Sequence, residues 1–430
     1  MLQRLGFPAI GRHRQFVTAI TVDAIGSGVF MPISLLYFLE STSLSLVRIG
    51  LALSIASALR LPFSPLLGGL VDRLGAKPVL LAANLLQAAG FVGFVFADSF
   101  AAVLMTSAIV QLGQSAFWGS FSPVVAAISE PGERERWFGF LGALRNASFA
   151  VGGLGAAAVI TIGSELAFTA VVVVNAVSYL VAYVLLLSVE GPAPGGVAVS
   201  ADGLPVGWGR VLRDRPYLLL VATNYTFATS AMALNVAMPV YITTFLGLPG
   251  WVAGVVFTVN TLMIGLGQGL AVNAMEGSVR TRIVALGSLL FAGSYFMLLS
   301  ADWTSVPVGV VIVFVAAVVY TGGELFAGPV LNALSTDAAP TNLRGRYVSL
   351  YQLSWNVAST IAPVALTWLL DVGAAAIWGA LAAVSVVGIG LSALLRRTMP
   401  LAAATVPGSR PTVPTTTAAS GQPFEDPVTG

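Results

Sequence analysis

Four ionisable side chains interrupt otherwise apolar runs of this chain: Asp23, Arg60, Arg145 and Glu324. A charge inside such a run costs at least about 2.5 kcal/mol on membrane-insertion scales, so it is kept where it has a partner or a task. For the two carboxyls the task that fits is proton exchange. Desolvation favours the neutral acid and an approaching cation favours the carboxylate, so a change of surroundings moves a proton on or off. Asp23 and Glu324 are therefore the candidates for proton coupling or for balancing the charge of a bound molecule. Arg60 and Arg145 are their candidate charge partners, and a static pair of Asp23 with either arginine, serving helix packing alone, is the plainer alternative.

Other chemistries lack their residues. Cysteine is absent and His13 is the single histidine, which removes the usual ligands of zinc and iron–sulfur centres and the usual partners of thiol and serine catalysis. No G-x-x-x-x-G-K-[ST] loop is present to hold a nucleotide. Neither an enzyme nor a cofactor or metal site is expected. Trp118, Tyr241 and Asn356 are candidates for lining a cavity, because amphipathic rings and amides suit flat, lipophilic cations.

The elements that hold these groups follow from composition. Hydrophobic residues make up 57% of the chain and charged residues 9%, against about 25% charged in soluble domains. The mean hydropathy is +0.90. Such a chain cannot cover itself with a water-facing surface, and a lipid-exposed backbone must satisfy its own hydrogen bonds as helix. Apolar runs long enough to cross a bilayer predict helices near 15–39, 48–70, 78–97, 100–128, 137–163 and 166–188. A second set is predicted near 216–246, 251–274, 282–300, 306–333, 346–370 and 374–395. The fold class is all-α integral membrane: twelve transmembrane helices in two pseudo-symmetric six-helix bundles.

Charge placement orients the bundle. Every Lys and Arg except Arg48, Arg60 and Arg145 falls in a segment on the side of the termini, whereas Glu40, Asp98, Glu165, Asp302 and Asp371 occupy the opposite loops. The net charge of +2 thus tracks topology, with both termini predicted to be cytoplasmic, and does not point to nucleic acid. The expected organisation is an N-terminal half over 1–189, a Pro/Gly-rich cytoplasmic linker over 190–215, a C-terminal half over 216–397 and a disordered cytoplasmic tail over 398–430.

The halves repeat. Met31-Pro32 and Phe38 recur as Met238-Pro239 and Phe245, and Ser122-Pro123-Val124 recurs as Gly328-Pro329-Val330. Arg134-Glu135-Arg136-Trp137 is matched by Arg344-Gly345-Arg346-Tyr347, and Asn146 by Asn356. Parallel six-helix repeats place a binding site at their interface.

Between predicted helices 2 and 3 stands Gly68-Gly69-Leu70-Val71-Asp72-Arg73-Leu74-Gly75-Ala76-Lys77. It closely resembles the loop signature of the major facilitator superfamily, G-x-L-x-D-R-x-G-R-K, departing at Ala76. Glycines there permit a tight turn and close helix approach, while Asp72 can meet a neighbouring helix N-terminus. The resemblance implies that Gly68, Asp72, Arg73, Gly75 and Lys77 form a conformational latch that locks the halves in the outward-facing state.

Helix 10 carries Gly323-Glu324-Leu325-Phe326-Ala327-Gly328-Pro329, and helix 5 carries Gly152, Gly153 and Gly155. Both are similar to features of the drug:proton antiporters of the superfamily. The resemblance implies a proton-coupled secondary transporter that exports hydrophobic or cationic drug-like compounds, or a natural product, by alternating access. Proton-linked uptake of a small metabolite or sugar is the alternative. The implied partners are a small-molecule substrate, protons and the lipid bilayer of a bacterial cytoplasmic (inner) membrane, with the chain acting as a monomer.

Overall fold

A computed structural model describes residues 8–130, 132–189, 207–399 and 404–407 of the chain. Helices follow one another with short turns, several opened by a side chain that accepts an otherwise orphaned N–H. Ser45, Ser99, Ser164 and Asp214 each cap the helix that follows. The first six are α1 (Arg14–Ser41), α2 (Leu46–Leu74), α3 (Ala76–Phe94), α4 (Phe100–Ile128), α5 (Arg134–Ile162) and α6 (Glu165–Leu187). After a one-turn helix, Trp208–Val211, come α7 (Arg215–Val240), α8 (Gly250–Met275), α9 (Arg280–Ala301), α10 (Val306–Asp337), α11 (Arg344–Val372) and α12 (Ala374–Thr398).

Among the described residues, twelve helical spans are long and apolar enough to cross a membrane. Their outward faces carry bare apolar side chains, Leu166 at 80% and Leu266 and Val364 at 75% exposed, a surface that suits lipid. The predicted helices all form, and some run on into polar sequence. α10 continues through Asn332, Ser335 and Thr336, whose side chains donate back to carbonyls of the same helix, to Asp337, which pairs with Arg134 and Arg280. α7 passes Pro239 and closes on a π-helical turn, Tyr241–Phe245.

Packing repeats with the sequence. In the first half α1 lies against α5 and α6, α3 against α4 and α6, and α2 against α4. The second half has the same set: α7 with α11 and α12, α9 with α10 and α12, and α8 with α10. Between halves, α2 packs on α11 and α5 on α8 and α10.

The cores differ. The C-terminal half has one buried cluster that includes Tyr241, Tyr295, Tyr320 and Trp378. The N-terminal half has two, one around Phe16, Phe121 and Trp137 and one around Tyr37, Phe91 and Phe168.

Residues 190–206 of the expected linker and 400–403 and 408–430 of the expected tail lie outside the described residues, as do Arg4 and Arg410. Other parts of the tail are ordered, contrary to expectation. Thr398 closes α12, and 404–407 lies along the α8–α9 loop as an extended strip. The Val406 N–H donates to Ser278 O, the Gly277 N–H to Val406 O and the Arg280 N–H to Ala404 O, each at 2.9 Å. Val406 is buried, which explains why this piece of a Thr/Pro-rich segment stays in place.

Candidate functional site

Asp23 and Arg145 meet within the N-terminal half. The Asp23 Oδ2 accepts from Arg145 at 3.3 Å, and both side chains are largely shielded, 6% and 15% exposed. Of the two arginines open to Asp23 in the sequence, Arg145 is the partner. Its guanidinium also lies over Trp118 at 4.8 Å, Phe149 at 5.5 Å and Phe117 at 5.6 Å from the ring centres. Trp118, expected to face a bound cation, is thus engaged by the chain's own cation. α1 and α5 come together here through Gly28 and Gly152: a Cβ added at Gly152 would lie 2.6 Å from Gly28 C and from Ile25 O.

Glu324 in α10 is held differently. Its Oε2 accepts from Asn260 of α8 at 2.5 Å, and its Oε1 from Tyr320 at 3.5 Å. Asn260 also donates to Thr321. All these partners are neutral, all belong to the C-terminal half, and Glu324 is partly buried. No ion pair reaches Glu324 among the described residues.

Arg60 sits at the middle of the 29-residue α2. It reaches across to the other half and donates to Ser359 of α11 at 2.7 Å, and to Gln114 of α4 at 3.4 Å. Its expected role as a charge partner is corrected: among the described residues it meets no carboxylate, because Asp23 is taken by Arg145. Asn356 lies one turn before Ser359 and is buried with its Nδ2 unbonded. Tyr241 is likewise corrected. It is fully buried in the core of the C-terminal half, donates to Leu298 O and packs on Trp378, so it lines no cavity. A cavity of about 650 Å³ between α7, α11 and α12 is lined by apolar residues such as Leu218, Val357 and Val387 and holds none of the charged groups.

At the end of the bundle that carries the basic loops, the halves are joined. The Asp72 carboxylate accepts from the Gly345 N–H at 2.6 Å and the Arg346 N–H at 3.3 Å, and pairs with the Arg346 guanidinium at 3.1 Å. It therefore caps the first turn of α11 from the other half, where a carboxylate is favoured. Gly68 is required by closeness: a Cβ there would stand 2.8 Å from Gly345 O. Gly75 makes the turn at φ +90° that favours glycine. Lys77 donates to Leu187 O at the end of α6. Arg73 departs from expectation, being exposed with no ion pair among the described residues.

Sequence reasoning missed the second part of this closure. Glu276 pairs with Arg136, Arg280 pairs with Glu135 and, at 2.8 Å, with Asp337, and Asp337 also pairs with Arg134. Each of these contacts except Arg280–Asp337 crosses between halves. Arg136 and Arg346 are matched positions of the repeat, so Glu276–Arg136 is the counterpart of Asp72–Arg346. The matched Arg-x-Arg loops were the available signal.

The family model described as Major Facilitator Superfamily matches residues 16–363 and again 233–428. The chain belongs to this superfamily. It is a multi-pass membrane transporter of small molecules and not an enzyme. Relatives within the superfamily include multidrug resistance protein MdtH of Cronobacter sakazakii, 26% identical over 373 residues, covering 85% of this chain and 88% of that protein. MdtH of Sodalis glossinidius is 26% identical over 358 residues, covering 81% and 83%. Solved superfamily members share the fold. A bacterial homologue of the iron transporter ferroportin in an outward-facing state superposes with TM-score 0.69 at 15% identity, over 89% of this chain and 97% of that one. The human organic anion transporter MFSD10 (TETRAN) superposes with TM-score 0.66 at 16% identity, over 89% and 99%.

Proposed function

We propose that this chain is a proton-coupled exporter of hydrophobic or cationic drug-like compounds, or of a natural product, working by alternating access from a bacterial cytoplasmic membrane as a monomer. The basic loops support a cytoplasmic position for the joined end of the bundle, and the multidrug-resistance name of the MdtH relatives supports the substrate class. In the arrangement described, the contacts between halves at that end are the latch of an outward-facing state.

Glu324 carries the reading. An acid near the middle of a spanning helix, held by Asn260 and Tyr320 and by no base, has no packing reason to be charged. Its proton is free to follow the surroundings: water or a cation on one side stabilises the carboxylate, and closure against apolar groups restores the acid. Asp23 has a fixed counter-charge and serves the same cycle only when Arg145 moves away.

The test uses everted vesicles, a pH-gradient dye and a panel of lipophilic cations, antibiotics and sugars. Drug-like compounds are expected to dissipate the gradient with the wild type and to have no effect with Glu324→Gln. A response to sugars or other metabolites alone replaces export by uptake, and an unchanged response in the Gln variant removes Glu324 from the coupling.

A further inference from the structure

Arg60 is the intramembrane charge that the coupling reading leaves unused. It lies at mid-helix, where a lone guanidinium is costly, yet its contacts are the neutral Ser359 Oγ and Gln114 Oε1. Its Nε is buried without a partner, and so is Asn356 Nδ2 on the same face of α11 as Ser359. The Ser359 hydroxyl that accepts from Arg60 spends its own proton on Asn356 O. This patch, built from both halves, has more buried donors than acceptors and one positive charge without its opposite.

We propose that Arg60, flanked by Gln114 and Asn356, is a subsite for a carboxylate carried by the transported molecule. The guanidinium fork matches two carboxylate oxygens, and Nε with one Nη supplies two parallel N–H groups. The Asn356 amide gives a third donor from the opposite half. An acid bound there competes with Ser359 for Arg60, so ligand occupancy loosens a contact between α2 and α11. This deepens, and rests on, the reading of the chain as an exporter of hydrophobic or cationic drug-like compounds: among molecules with the same lipophilic body, those that also carry a carboxylate, as lipophilic acids or zwitterions, are preferred to those without one.

The probes are N-dansyl-phenylalanine and N-dansyl-phenylalaninamide, which share a lipophilic body and differ in the carboxylate. Their fluorescence is titrated against the purified full chain in lipid nanodiscs, with no pH gradient. The acid is expected to bind the wild type about tenfold more tightly than the amide, the worth of one charge-assisted pair. Arg60→Gln removes that preference, and Arg60→Lys, which keeps the charge without the fork, retains part of it. Ser359→Ala, which breaks the contact between halves but leaves the donors, keeps the preference; its loss there assigns Arg60 to packing and overturns the proposal. Equal binding of both probes by the wild type, binding of neither, or a preference that survives Arg60→Gln also overturns it. The wild-type comparison decides even where Arg60→Gln fails to fold. Because no gradient is present, Glu324→Gln is expected to keep the preference while losing coupled transport, so failure of the subsite and failure of the export reading are seen separately.

Discussion

Equivalent places in the two halves hold different chemistry. Trp118 and Glu324 each lie one turn before the matched Ser122-Pro123 and Gly328-Pro329, and Asp23 and Ser230 each lie two turns ahead of Met31-Pro32 and Met238-Pro239. Arg145 and Trp355 directly precede the matched Asn146 and Asn356. The N-terminal half thus has an acid, a base and an indole where the C-terminal half has a hydroxyl, an indole and an acid. In the first, Asp23 and Arg145 neutralise one another, and in chain order they fall between the residues of the two buried clusters of that half. In the second, the cluster is continuous and Glu324 is held by neutral groups. One frame therefore holds an ion pair on one side and, on the other, an acid whose partners are neutral, and the proposed proton coupling rests on that asymmetry.

The largest expected effect tests that asymmetry directly. Glu324→Gln is expected to abolish gradient-driven movement of drug-like compounds in everted vesicles while leaving the amount of folded protein unchanged. Asp23→Asn is expected to leave Arg145 buried without its counter-charge, a loss of roughly 3–5 kcal/mol when one partner of a buried pair is removed. That variant shows its defect first in the Tm of the purified protein. The double variant Asp23→Asn/Arg145→Gln is expected to recover most of the lost Tm, since neither charge then remains. A double variant no more stable than Asp23→Asn breaks the comparison, because Asp23 would then act through something other than Arg145.

How much of this was legible in the sequence depends on how far a residue's role is set by its own neighbours in the chain. Helix number and pairing follow from runs of apolar residues and a repeat, both one-dimensional. Gly68, Gly75 and Asp72 were legible because they stand together in one contiguous loop signature, although Gly68 and Asp72 meet α11 of the other half. The partner of Asp23 was not, since choosing between Arg60 and Arg145 requires the rotation of three helices about their axes. Tyr241 misled because an aromatic residue beside Pro239 looks the same in sequence whether it faces a cavity or Trp378. Glu135, Arg280 and Asp337 were hidden for a different reason: each falls just outside a predicted helix in an ordinary polar stretch, and the helix ends that carry them are brought together where the two halves meet.

The repeat-related contacts at the joined end offer a finer test. Asp72 is 4% exposed in its pair with Arg346, whereas Glu276 and Arg136 are 22% and 21% exposed. Asp72→Asn removes charge-assisted bonds to a buried helix terminus, and a destabilisation of about 1.5–3 kcal/mol is expected. Glu276→Gln loses a pair more open to solvent, for which about 0.2–1 kcal/mol is the ordinary range. Cysteine accessibility of the α2–α11 seam to a membrane-impermeant reagent, applied from the cytoplasmic side, is expected to rise in Asp72→Asn and to change little in Glu276→Gln. Equal rises in both show that the two contacts share the load despite their different burial.

The last contrast concerns the backbone itself. α1 and α5 touch through Gly152, where an added Cβ meets Gly28 C and Ile25 O at 2.6 Å, main-chain atoms that cannot swing aside. Its counterpart six residues past Asn356 is Ala362, already a methyl and 3% exposed, so α7 and α11 accommodate the very group that α1 and α5 exclude. Gly152→Ala is therefore expected to cost about 1–3 kcal/mol by overpacking, despite the helix propensity gained. The adjacent Gly153, which has nothing within 4 Å of an added Cβ, is expected to accept Ala with a small gain in Tm. Ala362→Gly costs about 0.5–1 kcal/mol through lost helix preference. If Gly152→Ala and Gly153→Ala behave alike, α1 and α5 are not pressed together there. The Asp23–Arg145 pair would then owe its geometry to its rings and charges rather than to the close approach of its helices.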